Sequence, residues 1–407
     1  MRSSRSTLTC IAAGCLATVL ALAACGGSEE RAEDEILIAA IFDLTGPTAD
    51  VGIDYADAVR GHVDWLNARG GIQGRPVRLI YQDYGYQVDR AEQLYTQFVQ
   101  EGAVIFMGWG TGDTEALRLR ITEDRIPFSS ASLSHVLGDA HESPYNFLVA
   151  TSYSDQFRIV LRWIAEDHRA NGDEGDAQVA FMHNASPFGL SPWAQGGEDY
   201  AREIGVDVTP YEMPRGATDY TAEFSRIGQS GATYVVFQNT SAPAAVALRN
   251  ARGLGIDATF VCLNWCANAL LWRLAEDAAE GVVGAIPWAP LTDAVPGIRD
   301  IRDYLESRNE DYADKTNAYT QGWWTMAVFV EGIRRVLDAG EELTGENIKR
   351  ALETIDGLDT GGAGPPLTFT PSDHRGSKGL RLFRAEDGRW TPMTEVLTAP
   401  SWGPDAP

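Results

Sequence analysis

Lysine is nearly missing from this chain: only Lys315, Lys349 and Lys378 occur, and the other basic residues are arginine. Acids outnumber bases 57 to 33, for a formal charge of −24. That balance excludes a general phosphate-binding surface, because nucleic-acid binders need clustered positive charge. The arginine bias itself reads as genomic composition, not chemistry. Histidine is sparse as well. His62, His135, His141, His168, His183 and His374 form no H-E-x-x-H pair and no Cys/His set with zinc spacing. Neither a G-x-S-x-G elbow nor a Walker loop is present. Gly108, Gly110 and Gly112 alternate after a predicted strand but lack the full dinucleotide-loop spacing. No catalytic residue, metal or cofactor is therefore expected. Beyond the N-terminal segment no apolar run reaches about 18 residues, so the body is not expected to cross a membrane.

What is present begins with a 44% hydrophobic and 22% charged composition, that of a folded chain. A length of 407 residues suggests two or three domains of about 150 residues. Arg2 and Arg5 precede an apolar run from Ile11 to Ala24, the order of a signal peptide. The run ends Leu22-Ala23-Ala24-Cys25-Gly26, which resembles the lipobox of bacterial lipoproteins. That resemblance implies a signal peptide over 1–24, cleavage before Cys25 and a diacylglycerol on its sulfur. Residues 25–35 are polar and simple, as a tether would be. Cys10 and Cys15 leave with the signal, so Cys262 and Cys266 remain. Outside the cytoplasm a disulfide between them is favoured over free buried thiols, and metal binding is the weaker rival.

The body alternates strand and helix. Ile36–Leu44 is almost continuously apolar, as in a strand buried on both faces, and Thr45-Gly46-Pro47 ends it. Further strands are expected at 77–83, 103–107, 127–130, 178–183, 206–212, 234–239 and 259–263, each followed or preceded by a helical pattern. Such alternation with short connections predicts an α/β fold with doubly wound parallel sheets, too many units for one sheet. Later residues turn to long helices at 296–307, 319–339 and 345–355, then a short β-like tail over 367–393.

Several motifs carry a family resemblance. They are Thr45-Gly46-Pro47, Leu66-Asn67-Ala68-Arg69-Gly70-Gly71-Ile72-Gln73-Gly74-Arg75, Gly216-Ala217-Thr218-Asp219-Tyr220 and Leu248-Arg249-Asn250-Ala251-Arg252-Gly253-Leu254-Gly255. In order and spacing they resemble the type I periplasmic solute-binding proteins of the leucine/isoleucine/valine branch. The resemblance implies two lobes joined by three hinge strands. The first lobe would take 36–150 and 288–363, the second 151–287 and 364–400. A small-molecule ligand would lie between them at the carboxyl ends of the strands, where open α/β sheets place ligands in general. The implied partners are the permease subunits of an ABC importer and, through Cys25, a bacterial membrane surface. The implied state is a monomer.

The ligand-binding candidates are Trp109, Thr111, Ser132, Ser134, Tyr153, Phe188, Thr240, Asn264, Trp265 and Tyr319. Thr111 and Ser132 offer hydroxyls at strand ends, and Asp113 is read as a helix cap. Val51, Phe188 and Thr240 stand where amino-acid binders of this family often carry an aromatic hydroxyl. Asn264 stands where they carry a carboxylate for the ligand's ammonium, and an amide cannot supply that charge. With Trp109 and Trp265 as flat walls, the departures favour an aromatic or hydrophobic carboxylate, or a neutral amide-like solute. Zwitterionic branched-chain amino acids are the alternative ligand. A ligand-sensing receptor component is the alternative of another class.

Overall fold

The computed structural model describes residues 35–401. The signal peptide, Cys25, and all but the last residue of the tether lie outside the described residues. Strands are β1 (Ile36–Phe42), β2 (Val77–Asp83), β3 (Ile105–Gly108), β4 (Phe128–Ser130), β5 (Ala177–Asn184), β6 (Val206–Met213), β7 (Tyr234–Gln238), β8 (Thr259–Cys262), β9 (Val283–Ile286), β10 (Gly379–Glu386), β11 (Arg389–Pro392) and β12 (Leu397–Thr398). They build two sheets. The first has four strands in the order β2-β1-β3-β4, all parallel. Every residue of β1 is buried, which is why its sequence shows no alternation.

The second sheet has eight strands, in the order β11-β10-β9-β8-β7-β5-β6 with β12 on β10. From β9 to β6 it is parallel. Strands β10 and β11 join antiparallel, a feature absent from the expected all-parallel sheets. Between β5 and β6 the chain is helical in three pieces, Pro187–Pro192, a kinked turn at Trp193–Gly197 and Glu198–Glu203. Pro192 and the left-handed Gly196 (φ 101°) account for the break.

Each sheet has its own apolar cores, and these define two lobes. The first core gathers β1 and β3 with helices Ala49–Asn67 and Asn317–Asp338. Those helices approach closely where a side-chain carbon at Gly322 would stand 2.5 Å from the Tyr55 carbonyl oxygen. Leu367 and Phe369 also pack in this core, so the first lobe reaches beyond residue 363. Around the second sheet, one core lies on each face. Three second-lobe aromatics, Tyr153, Phe188 and Trp265, belong instead to the first core. The lobes are therefore pressed together at the waist.

Candidate functional site

The carboxyl ends of β1 to β4 all open toward the second lobe. Just past β1, the buried Asp43 carboxylate accepts the N–H of Gly46 (2.6 Å), the N–H of Thr48 (2.9 Å) and the Thr48 hydroxyl (2.7 Å). A Cβ at Gly46 would lie 2.3 Å from that carboxylate, so the turn requires glycine. Thr48, thus fixed, accepts the Trp109 indole N–H at 2.7 Å. Trp109 follows β3, and the edge of Tyr55 supports its ring at 5.4 Å.

Helix Thr111–Asp124 starts immediately afterwards. Thr111 and Ser132 share a hydrogen bond of 2.7 Å between their hydroxyls. Asp113 is not the N-cap; that position is Gly110. From the third helical position its carboxylate accepts the Tyr84 hydroxyl (3.0 Å) and reaches back to the Gly110 N–H. Burial pushes this carboxyl up to about 6, against those hydrogen bonds and with the added repulsion of Asp43.

From the second lobe, Trp265 lies in the turn after β8. Its indole N–H donates to the Tyr153 hydroxyl at 2.7 Å. Its ring meets Trp109 across the waist at 5.4 Å and 56°. Tyr153 in turn packs edge-on against Phe188 at 5.5 Å. The Trp265 carbonyl accepts from the Asn268 amide (2.9 Å) and the Ser241 hydroxyl (3.3 Å), so its backbone is tied down.

Two small cavities flank Trp265. The nearer, ≈ 20 Å³, is lined by Thr48, Val51, Tyr86, Trp109, Thr111 and Phe188, together with Gly110, Ala131, Thr240 and Trp265. The farther, ≈ 10 Å³, is lined by Asn264, Trp265, Asn317 and Gln321, with Pro287, Trp288 and Ala318. Each has room for about one water. No charged side chain lines either cavity. Two acids stand close behind: Asp113, and Asp50, whose carboxylate accepts the Ala242 N–H from the other lobe at 2.9 Å. Burial raises Asp50 above the usual carboxylate range, opposed by that N–H and the Thr240 hydroxyl.

Most of the sequence candidates converge here. Trp109, Thr111, Phe188, Thr240 and Trp265 line the near cavity, and Asn264 lines the far one. Ser132 and Tyr153 stand one hydrogen bond behind the walls. Ser134 does not reach a cavity: its hydroxyl donates to Glu115 (2.6 Å) and accepts from the Gln195 amide (2.9 Å). Tyr319 is also misplaced by the sequence reading. It borders a groove on the outer face of the first lobe, beside Arg60 and Tyr81. Helical phase is the reason: Asn317, Ala318 and Gln321 share the waist face, and Tyr319 falls off it.

The expected disulfide is not formed. Cys262 and Cys266 are free buried thiols. The Cys266 sulfur turns to the carbonyls of Phe237 (3.7 Å) and Leu263 (3.6 Å), filling the core as a small apolar group. Thr48, Tyr86 and Asp50 were missed. Tyr86 carries a left-handed φ of 59° and has the Arg215 guanidinium of the other lobe over its ring at 5.7 Å. Its position just past β2 was the available signal. Among the described residues no cluster suited to a metal ion occurs and no helix is long and apolar enough to cross a membrane.

A waist of this kind, at strand ends between two α/β lobes, matches known proteins. Residues 35–389 fit the model of a family described as periplasmic binding protein. The chain belongs to that family, in its branched-chain amino acid branch. It is similar to a solved branched-chain amino acid ABC transporter protein from Thermus thermophilus with bound valine. Identity there is 30%, coverage is 90% of this chain and 97% of that one, and the TM-score is 0.84. A leucine-, isoleucine-, valine-, threonine- and alanine-binding protein of Pseudomonas aeruginosa is 23% identical, over 81% of this periplasmic binding protein and 86% of the relative. A fatty acid ABC transporter substrate-binding protein from Thermomonospora curvata shares the fold, with a TM-score of 0.81 at 18% identity over 90% of this chain and 93% of that one.

Proposed function

We propose that this periplasmic binding protein is the solute-capturing component of an ABC importer of the branched-chain amino acid type. It would be held at a membrane surface by lipidated Cys25 and hand its ligand unchanged to permease subunits. The lobes, with crossings near 150, 287 and 370–379, would close on the solute by hinge motion. The observation that carries the reading is the waist itself. It is a cavity at the strand carboxyl ends, walled by Val51, Tyr86, Trp109, Phe188 and Trp265 and dotted with the hydroxyls of Thr48, Thr111 and Thr240.

The chemistry of that wall favours a solute with an apolar or aromatic body and a neutral polar end. A free carboxylate finds hydroxyls but no lining cation, with Asp50 and Asp113 close behind. A zwitterion would need a counter-charge for its ammonium that Asn264 does not provide. The neighbour with bound valine supports the second reading, a branched-chain amino acid ligand, since it spans nearly the whole chain at 30% identity.

A thermal-shift screen over amino acids, aromatic acids, amides and betaines tests both. A ligand at a hundredfold excess over its Kd stabilises by about 2.7 kcal/mol. Stabilisation by amides or neutral aromatic solutes is expected. A response to leucine and valine alone would replace the first ligand reading by the second. Silence across the whole panel would count against solute capture.

A further inference from the structure

The two cavities at the waist are separated by one side chain. Trp265 lines both, and neither has room for more than about a water molecule. The cleft is shut and its middle is filled by an indole. We propose that Trp265 is a movable partition: the indole occupies the ligand's own chamber when the cleft is empty, and the ligand displaces it to join the two cavities into one. This rests on the solute-binding reading above and deepens it.

Three features support the assignment. The Trp265 indole loses its aromatic partner when the lobes part. Trp109 stands on the other lobe, while the indole N–H donates to Tyr153, at the start of the second-lobe helix Tyr153–Ala170. The Trp265 backbone, by contrast, is fixed by Asn268 and Ser241 within its own lobe, so the ring swings while the turn stays. The chambers on either side also differ in chemistry. The near one is aromatic with hydroxyls, and the far one is lined by the amides of Asn264, Asn317 and Gln321. There the Asn264 carbonyl oxygen (Oδ1) is buried with no hydrogen-bond partner. The amide nitrogens of Asn317 and Gln321 are already committed, to the carbonyls of Ala267 (3.1 Å) and Ala131 (3.4 Å). Trp288 lines the same chamber, and its indole N–H is likewise buried without a partner, so the far chamber leaves one acceptor and one donor unmet. The joined site would therefore take an apolar ring in the near chamber and a neutral N–H or O–H group reaching Asn264. That is the class of aromatic and alkyl carboxamides, not that of anions.

The test uses indole, a neutral ring with a single N–H, as the probe. Shortening Trp265 to alanine empties the chamber, and an apolar cavity of about 150 Å³ is known to take a benzene ring. Indole is expected to raise the Tm of Trp265→Ala saturably, by about 2 °C or more, and to leave the wild type and Trp272→Ala unmoved. Trp272 is a second-lobe tryptophan outside both cavities, so it controls for tryptophan loss alone. In the double variant Trp265→Ala, Asn264→Leu the indole response should fall at least tenfold in affinity. Equal binding by wild type and variant, or none by the variant, overturns the partition. If Trp265→Ala does not fold, Trp265→Val with benzene is read by the same criteria. A wild type that answers to a panel solute while the variant ignores indole loses the partition only. A wild type that answers to nothing loses the solute reading.

Discussion

The waist and the outer groove of the first lobe invite opposite expectations. The groove is the larger space by far, ≈ 490 Å³ against ≈ 20 and ≈ 10 Å³ at the waist. Yet its cations are paired: Arg60 with Asp57 at 2.5 Å, Arg78 with Glu35 at 2.8 Å, Arg308 with Glu310 at 3.0 Å. It is wide, and its lining cations each have a carboxylate partner. The waist is small and nearly dry, and it keeps an unpartnered amide oxygen in Asn264 and an unpartnered carboxylate oxygen in Asp113. Volume alone points to the groove, whereas uncompensated buried groups placed where two lobes meet point to the waist.

The comparison is broken most directly by removing one aromatic from each region. Trp109→Ala should cost about 3–5 kcal/mol of stability, as large-to-small changes in a packed core do, and abolish the thermal shift given by any solute found in the screen. Tyr81→Ala in the groove, where the ring is 36% exposed, should leave that shift intact. Denaturant unfolding and the ligand shift together decide it; a ligand shift lost only in Tyr81→Ala would move the site to the groove.

Acid–base behaviour sharpens the contrast next. Asp113 has a folded-state pKa of about 6, above an unfolded value near 3.8. Well below pH 3.8 it is protonated in both states and costs nothing. As pH rises from there to about 6 the unfolded chain ionises while the native carboxyl holds its proton, so stability is lost over that window and stays lost above it. Asp113→Asn should therefore raise stability at pH 8 by up to about 2 kcal/mol and change it little at pH 4. Thermal unfolding at the two pH values checks this, and an equal effect at both would remove the burial argument.

Smaller effects follow. Asp50→Ala removes the acceptor that ties the first lobe to the Ala242 N–H. A loss of about 1 kcal/mol is expected, together with a wider average molecule by small-angle scattering. An unchanged scattering profile would mean that the clasp does not hold the lobes. Arg308→Ala should be nearly silent, about 0.5 kcal/mol or less, because exposed ion pairs are solvent-screened.

Much of the architecture was legible. β1, β7 and the helices after them announced themselves because strands buried on both faces are continuously apolar and helices repeat every 3.6 residues. β9 was not: Val283-Gly284-Ala285-Ile286 is four residues long and has no pattern. Nor could the antiparallel addition of β10 be read, since it pairs residues about a hundred positions apart in sequence. Trp109, Thr111 and Trp265, singled out for their places at strand ends, line the near cavity at the waist. Tyr319 was misread because helix Asn317–Asp338 is buried on nearly every side, so its sequence does not say which face meets the waist. The two thiols do stand together, Cys262 interacting with Cys266, yet both are free and buried, since spacing reports proximity and not whether the bond forms.

By itself the sequence determined the periodicities, the breaks between them and the residue types at the strand ends. These are local properties, set by backbone preference and by the apolar pattern. Tertiary structure alone decided that the indole of Trp265 fills the gap between the lobes, that Asn264 faces a separate chamber and that Asp50 reaches across the waist. Each depends on the relative placement of two sheets, which no short stretch of chain encodes.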